Sequence, residues 1–379
     1  MSDHLNVDAL RRALQLKGMQ QNELAAKLEV TDAAVSQWLS GTTEPKPATL
    51  LKMARAVGLT VAELLVTEEP APLVAYRRKG QQKTTEFNED EALDQAYALD
   101  ALVDLLPPRT FRPPSVANAS PTYRCAELAA AEQRSRLDTE PGQPVSWRSL
   151  MKWFTDWQSV VVPVFWGERE NHGNALHIHL PRTNHTFVFI NLDSERLDFK
   201  FWLAHEMAHV LTPDLVGSED GEDFADLFAG ALLFPRDVAA EAYREAVGAN
   251  SAAIALNTMA DWARKWEVSL FTVYSQCNRL AEDRKVPPLK IDSTAVHAAR
   301  RRLDKTLPKV RDELFEGQTP NVHQYIDVAA RQFGGEFFNA LAQYVRTREG
   351  GPTYIRRCMH ATLRDSLALY SALTKGAEH

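Results

Sequence analysis

The stretch 199–209, Phe199-Lys200-Phe201-Trp202-Leu203-Ala204-His205-Glu206-Met207-Ala208-His209, decides how this chain is read. Its apolar residues recur at helical spacing, and the pattern over 197–211 predicts one helix, halted by Pro213. On a helix, residues four apart share a face, so His205 and His209 can present two imidazoles to one metal ion. Glu206 stands about 100° further round the same turn. There its carboxylate can take a proton from water activated by the metal without itself binding the metal. Zinc is the metal this pattern implies, because it lowers the pKa of a bound water toward ~7.

A catalytic zinc needs a third protein ligand and an open position. A second helix, predicted over 222–234, supplies the candidates. Glu222 can complete the ligand set, and Asp226, one turn later, can accept the spare ring N–H of a ligand histidine. Glu219, Asp220, Asp223 and Asp226 itself remain alternatives for the third ligand. His177 and His179 share one strand face and read as a solvated or edge-strand pair rather than as extra ligands. His172, in a loop, is a candidate for orienting substrate, and His185 reads as structural. Valine-rich 159–165, the alternating 175–180 and the apolar 186–190 predict strands of one small sheet ahead of the metal helix.

The segment 199–209, followed by Glu222-Asp-Phe-Ala-Asp-Leu-Phe-Ala229 and Leu232-Leu-Phe-Pro235, resembles the ImmA/IrrE metallopeptidases. Ile190-Asn191 and the helix opening Glu267-Val-Ser-Leu-Phe-Thr-Val-Tyr-Ser275 fit the same family, so the likeness spans roughly 120–285. It implies an α+β zincin-like fold, a zinc ion on His205, His209 and Glu222, and Glu206 as general base. Members of that family cleave helix-turn-helix repressors in stress or phage-related responses. Met207-Ala208 stands where the family usually has Leu-Gly.

Residues 5–67 predict five short helices with tight turns. Gln21–Leu28 is amphipathic, Thr31 is an N-cap for the next helix, and Gly41 is suited to the position just past its end. Pro47–Val57 and Val61–Leu65 close the bundle. The segment resembles the Xre/Cro/lambda-repressor helix-turn-helix family, which implies a recognition helix over 31–39. Its solvent side offers Asp32, Ala33, Ser36 and Gln37, beside the cap residue Thr31. Gln21 matches the family's phosphate-contacting position. Glu29 occupies a position where the family favours glycine.

The whole chain has 379 residues and a formal charge of -7, which excludes nucleic-acid binding over its entire surface and confines DNA contact to a local patch. Arg77, Arg78, Lys79 and Lys83 are candidates for added phosphate contacts. Three scattered cysteines predict reduced thiols and a cytoplasmic setting. No run approaches a membrane span, and Met1–Leu10 carries no signal-like pattern. The expected architecture is multidomain and mainly α: helix-turn-helix domain 1–69, linker with one helix 70–118, metallopeptidase domain 119–285 with a small sheet, and helical C-terminal region 286–379. In that last region Ile326, Ala330, Phe333, Phe337, Leu341 and Tyr344 predict one apolar stripe, a core or dimer surface.

The function implied is a DNA-binding regulator carrying a zinc metallopeptidase. Its partners would be a double-stranded DNA operator and a protein substrate, an HTH repressor or the chain's own linker, with the chain acting as a homodimer and without a membrane. Two other readings share the same motifs: a regulator whose metallopeptidase fold is a non-proteolytic sensor, and a protease toxin or phage-defence effector autoregulated through its helix-turn-helix.

Overall fold

The computed structural model describes residues 3–67, 70–76, 86–110, 113–140, 142–166, 175–304, 307–348 and 350–375. His172 and the basic positions Arg77, Arg78, Lys79 and Lys83 lie outside them. The chain divides into two compact units, Met1–Ala71 and Pro72–His379.

The first unit holds β1 (Asp3–Leu5), α1 (Val7–Leu16), α2 (Gln21–Leu28), α3 (Asp32–Leu39), α4 (Pro47–Val57) and β2 (Leu65–Thr67). Thr31 caps α3 as expected, its hydroxyl accepting from the Ala34 N–H at 3.2 Å. Gly41 follows α3 with φ +72°, the left-handed backbone that favours glycine. Leu24, Ala25, Leu28, Val35, Trp38 and Leu39 meet in one buried core. The fifth helix predicted at Val61–Leu65 does not form. The chain turns there and continues as β2, which pairs antiparallel with β1 and ties the two ends of the unit together.

The second unit begins with β3 (Leu73–Tyr76) and α5 (Glu86–Asp100), followed by α6 (Tyr123–Arg134) and α7 (Trp147–Asp156). Next come β4 (Val160–Val164), β5 (Ala175–Leu180), β6 (His185–Asn191), α8 (Arg196–Leu211) and α9 (Glu219–Leu233). The remainder is helical: α10 (Arg236–Val247), α11 (Ala252–Trp266), α12 (Leu270–Asp283), α13 (Ser293–Asp304), α14 (Val310–Leu314), α15 (Val322–Phe333), α16 (Glu336–Thr347), α17 (Pro352–Met359) and α18 (Leu363–Lys375).

The sheet order is β3-β5-β6-β4, with β4 parallel to β6 and β5 antiparallel to both neighbours. Every residue of β4, β5 and β6 is buried, as happens when both faces of a sheet are covered. Alternation sends His177 and Val188 toward α8, where His177 meets Glu206. It sends Leu176, Ile178, Phe187 and Phe189 the other way, where Phe189 packs edge-on against Phe337 of α16.

Two expected boundaries therefore change. The supposed linker 70–118 supplies an edge strand, β3, and a packed helix, α5, whose Gln95 side chain donates to the Cys358 carbonyl at 2.9 Å. The C-terminal region 286–379 is no separate module, because it covers the second face of the sheet. It also clamps the start of α8: the Val310 and Arg311 N–H groups donate to the Ser194 and Leu192 carbonyls, and Arg300 pairs with Asp198 at 2.7 Å. The apolar stripe is likewise split. Gly334 and Gly335 separate α15 from α16, leaving Ala330 exposed while Tyr325, Ala329, Phe333, Phe337 and Leu341 are buried.

Lys200 of α8 is buried, its ammonium 3.5 Å from the Trp266 carbonyl, and burial pushes its pKa down to about 8. A lysine whose folded pKa lies below its unfolded value weakens the fold wherever it must be charged, which is below about pH 8. Lys200→Met is expected to raise stability at pH 7 by on the order of 2–3 kcal/mol, with the gain shrinking as pH rises through about 8 toward the unfolded lysine pKa. Urea denaturation at pH 7 and pH 10 checks this, and a gain independent of pH would refute the buried-charge explanation.

Candidate metal centre and nucleic-acid interface

Twelve of the sixteen residues of α8 are buried, so its polar side chains must find partners inside the protein. The loop after α8 forms a short 3-10 turn at Pro213–Leu215, and Ser218 then caps α9 by accepting from the Gly221 N–H at 3.0 Å. Gly221 packs on the Leu215 carbonyl, and a Cβ at this position would collide with that oxygen. That close approach brings the first turn of α9, and with it Glu222, over the His205–His209 face.

The predicted ligands converge. His205 Nε2 and His209 Nε2 are 3.1 Å apart, and Glu222 lies 3.4 Å from the first through Oε2 and 3.3 Å from the second through Oε1. Among the described residues these three form one potential metal-holding group. Glu219, Asp220 and Asp223 are exposed and outside it. Asp226 is not in it either, but sits behind it, with its Oδ1 3.0 Å from His205 Nδ1. A carboxylate only accepts, so His205 Nδ1 carries a proton, and its Nε2 is the atom that faces His209 and Glu222.

This donor set fits zinc. Tetrahedral bonds of about 2.0–2.1 Å give ligand–ligand edges of about 3.3 Å, the separation seen here. Two facing imidazole lone pairs beside a carboxylate repel one another unless a cation joins them. The buried Glu206 Oε2 has no hydrogen-bond partner among the described residues.

The electrostatics agree. Burial opposes charge on His205, but hydrogen bonds to Asp226 and Glu222 outweigh it and raise its pKa to about 9. Burial also opposes charge on Glu222, yet hydrogen bonds from His205 and His209 hold its carboxyl well below the usual carboxylate range. Burial pushes the Glu206 carboxyl up to about 7, against the pull of both histidines. His209 is driven down, chiefly by burial.

The reading of His177 and His179 as solvated is overturned. β5 lies between β3 and β6, so both are buried. His179 pairs with the Thr186 hydroxyl at 3.0 Å. His177 points its Nδ1 at Glu206 Oε2, 3.4 Å away, with its ring 5.4 Å from that of His209. Sequence alternation placed His177 on a face, but nothing in the sequence showed which helix that face meets. His185, at the start of β6, is buried.

In the first unit Gln21, Thr31, Asp32, Ala33, Ser36 and Gln37 are all exposed. Asp32, Ala33, Ser36 and Gln37 follow helical spacing along one side of α3. Glu29 takes the left-handed backbone (φ 58°) at the end of α2, the conformation expected of a glycine there, and pairs with Lys52 at 2.8 Å.

Residues 10–64 match the family described as helix-turn-helix. The N-terminal unit is thus a helix-turn-helix of the DNA-binding kind, and the chain is mainly helical with a four-stranded sheet in its second unit. No curated protein matches the chain. No helix among the described residues is long and apolar enough to cross a membrane.

Asp226→Asn is expected to keep zinc stoichiometric but to weaken its affinity about 10–100-fold, because the ring of His205 loses the carboxylate that orients it. Competition with a chelator of known affinity reads this directly, and an unchanged affinity would rule out that role.

Proposed function

We propose that the chain is a DNA-binding regulator whose second unit is a zinc metallopeptidase acting on a protein. The reading is carried by one observation: three ligand residues from α8 and α9 whose donor atoms lie within 4.8 Å of one another, with the Glu206 carboxylate buried beside them. The resemblance of 199–235 to the ImmA/IrrE metallopeptidases supports the same reading and makes helix-turn-helix repressors the expected class of substrate.

His205, His209 and Glu222 would hold the ion. Bound there, zinc supplies a Lewis acid and lowers the pKa of a water toward ~7. Glu206 takes the proton from the attacking water and delivers one to the departing amine nitrogen. His177, against Glu206, fixes where that carboxylate points. Asp226 keeps the His205 Nε2 lone pair directed at the ion. A carboxyl raised to about 7 by burial suits a group that must both accept and return a proton near neutral pH. The sensor reading has no need of a buried carboxylate next to three ligands.

DNA is read by α3, with Gln37 and Ser36 able to meet base edges and Gln21 a phosphate. The first unit carries no excess of basic side chains, which favours a homodimer on a two-fold operator over a lone monomer.

Glu206→Gln is expected to abolish cleavage while zinc content and operator binding stay at wild-type levels. His205→Ala and Glu222→Ala are expected to lose stoichiometric zinc. Metal analysis, a cleavage assay and a DNA mobility shift separate these outcomes. Full zinc in Glu222→Ala, or undiminished cleavage by Glu206→Gln, would defeat the assignment. Gln37→Ala is expected to weaken operator binding and relax base preference at one position, by about 1–3 kcal/mol if the contact is bidentate. Equal affinity across operator variants before and after the change would contradict a reading role for α3.

A further inference from the structure

The strand that stands behind Glu206 has its outer edge paired by a short segment of the chain itself. β5 carries His177, whose Nδ1 faces Glu206 at 3.4 Å, and the free edge of β5 is taken by β3 in antiparallel register. Ala75 stands directly opposite His177, with Val74 opposite Ile178. Opposed residues in an antiparallel pair project to the same face, so Ala75 faces α8 as His177 does, and it is 2% exposed. On its other side β3 touches the loop that joins the two ligand helices. A Cβ on Gly217 would lie 3.1 Å from the Val74 carbonyl oxygen, and Gly217 has a left-handed φ of +81°. The four residues thus thread between the strand behind the general base and the loop between His209 and Glu222. An extended peptide substrate that adds to a sheet edge takes this position.

Placement in the chain gives the seat its meaning. β3 starts at Leu73, immediately after the DNA-binding unit ends at Ala71. A single cut inside β3 parts that unit from all but the first few residues of the second.

We propose that Leu73–Tyr76 is the built-in substrate of this centre, hydrolysed in cis at the Val74–Ala75 bond; this rests on the hydrolytic reading above. Water adds through its oxygen to the Val74 carbonyl carbon, and the bond to the Ala75 nitrogen breaks. Glu206 takes one water proton and passes it to that nitrogen. The products are a DNA-binding fragment ending in the Val74 carboxylate and a fragment beginning with the Ala75 amine. No co-reactant other than water and no redox change is needed.

The test uses the full chain, purified with a chelator, with Glu206→Gln as control. One equivalent of Zn²⁺ is added and intact mass is followed. The expected result is loss of the full-length mass, with two fragments meeting at Val74–Ala75, and no change in Glu206→Gln. Before zinc is added, hydrogen exchange reports the seat itself. The β5 amides that face β3 are expected to be protected in the uncut chain and to lose that protection in Ala75→Pro, which lacks the N–H and breaks the pairing. Unprotected β5 amides in the uncut wild type would overturn the seating whatever zinc does. Carboxymethylated β-casein, added in parallel, separates the two levels of failure. A chain that stays intact while it degrades casein overturns self-cleavage and leaves the hydrolytic reading standing. A chain that stays intact and leaves casein untouched overturns both.

Discussion

The second unit depends on α8 being buried along most of its length. A helix with the sheet on one flank and α9 on another has no solvent into which His205, Glu206 and His209 can turn. Each must be answered by a protein group or by a bound ion. Asp226 answers one ring nitrogen of His205, Glu222 faces both histidines, and His177 faces Glu206. The site is therefore a condition of packing as much as a device for chemistry. Remove the charges and α8 becomes an ordinary core helix; keep them and the surroundings must supply compensation.

That demand explains why so much chain lies far from the His205, His209 and Glu222 cluster. The sheet that holds His177 needs a cover on its second face, and α15 and α16 provide it. Tyr325 reinforces the cover by donating its hydroxyl to the Pro163 carbonyl of β4. The start of α8 is pinned by the backbone at Val310 and Arg311, and Arg311 also pairs with Asp193 at 2.8 Å in the turn between β6 and α8. Residues a hundred positions downstream of the HExxH segment thus hold the turn from which the helix of the two histidines starts.

Much of the site was legible because its logic is local. Two histidines four apart, a carboxylate beside the first, and a capped acidic helix after a proline turn all follow from helical geometry, and Glu222 emerged from neighbours of the same type by lying on the right turn. The helix-turn-helix was readable for the same reason: Thr31 and Gly41 mark the ends of α3 whatever surrounds it. What was hidden is non-local. Leu73–Tyr76 is only four residues long and flanked by Pro70, Pro72 and a basic run, so it looks like a linker until β5 is there to pair with it. His177 looked solvated because alternation cannot say that both faces of the sheet are covered. Val61–Leu65 has helical composition, but pairing of β2 with β1 prevails over that local preference.

The pairing of β3 with β5 joins residues about a hundred positions apart, and the cover over Phe187 and Phe189 comes from a further 150 positions on. Contacts of such separation are slow to form, since the entropy of closing the loop is spent before the ladder returns it. During synthesis, at about 5–20 residues per second, the helix-turn-helix can fold while the sheet still lacks its partners. Strands β4 and β6 can pair with each other and with β5 as soon as they are made, but one face of that apolar sheet has no lid until α15 and α16 follow, and these strands are the segments most in need of a chaperone. The late arrival of α15 and α16 therefore sets when the second unit becomes safe from aggregation.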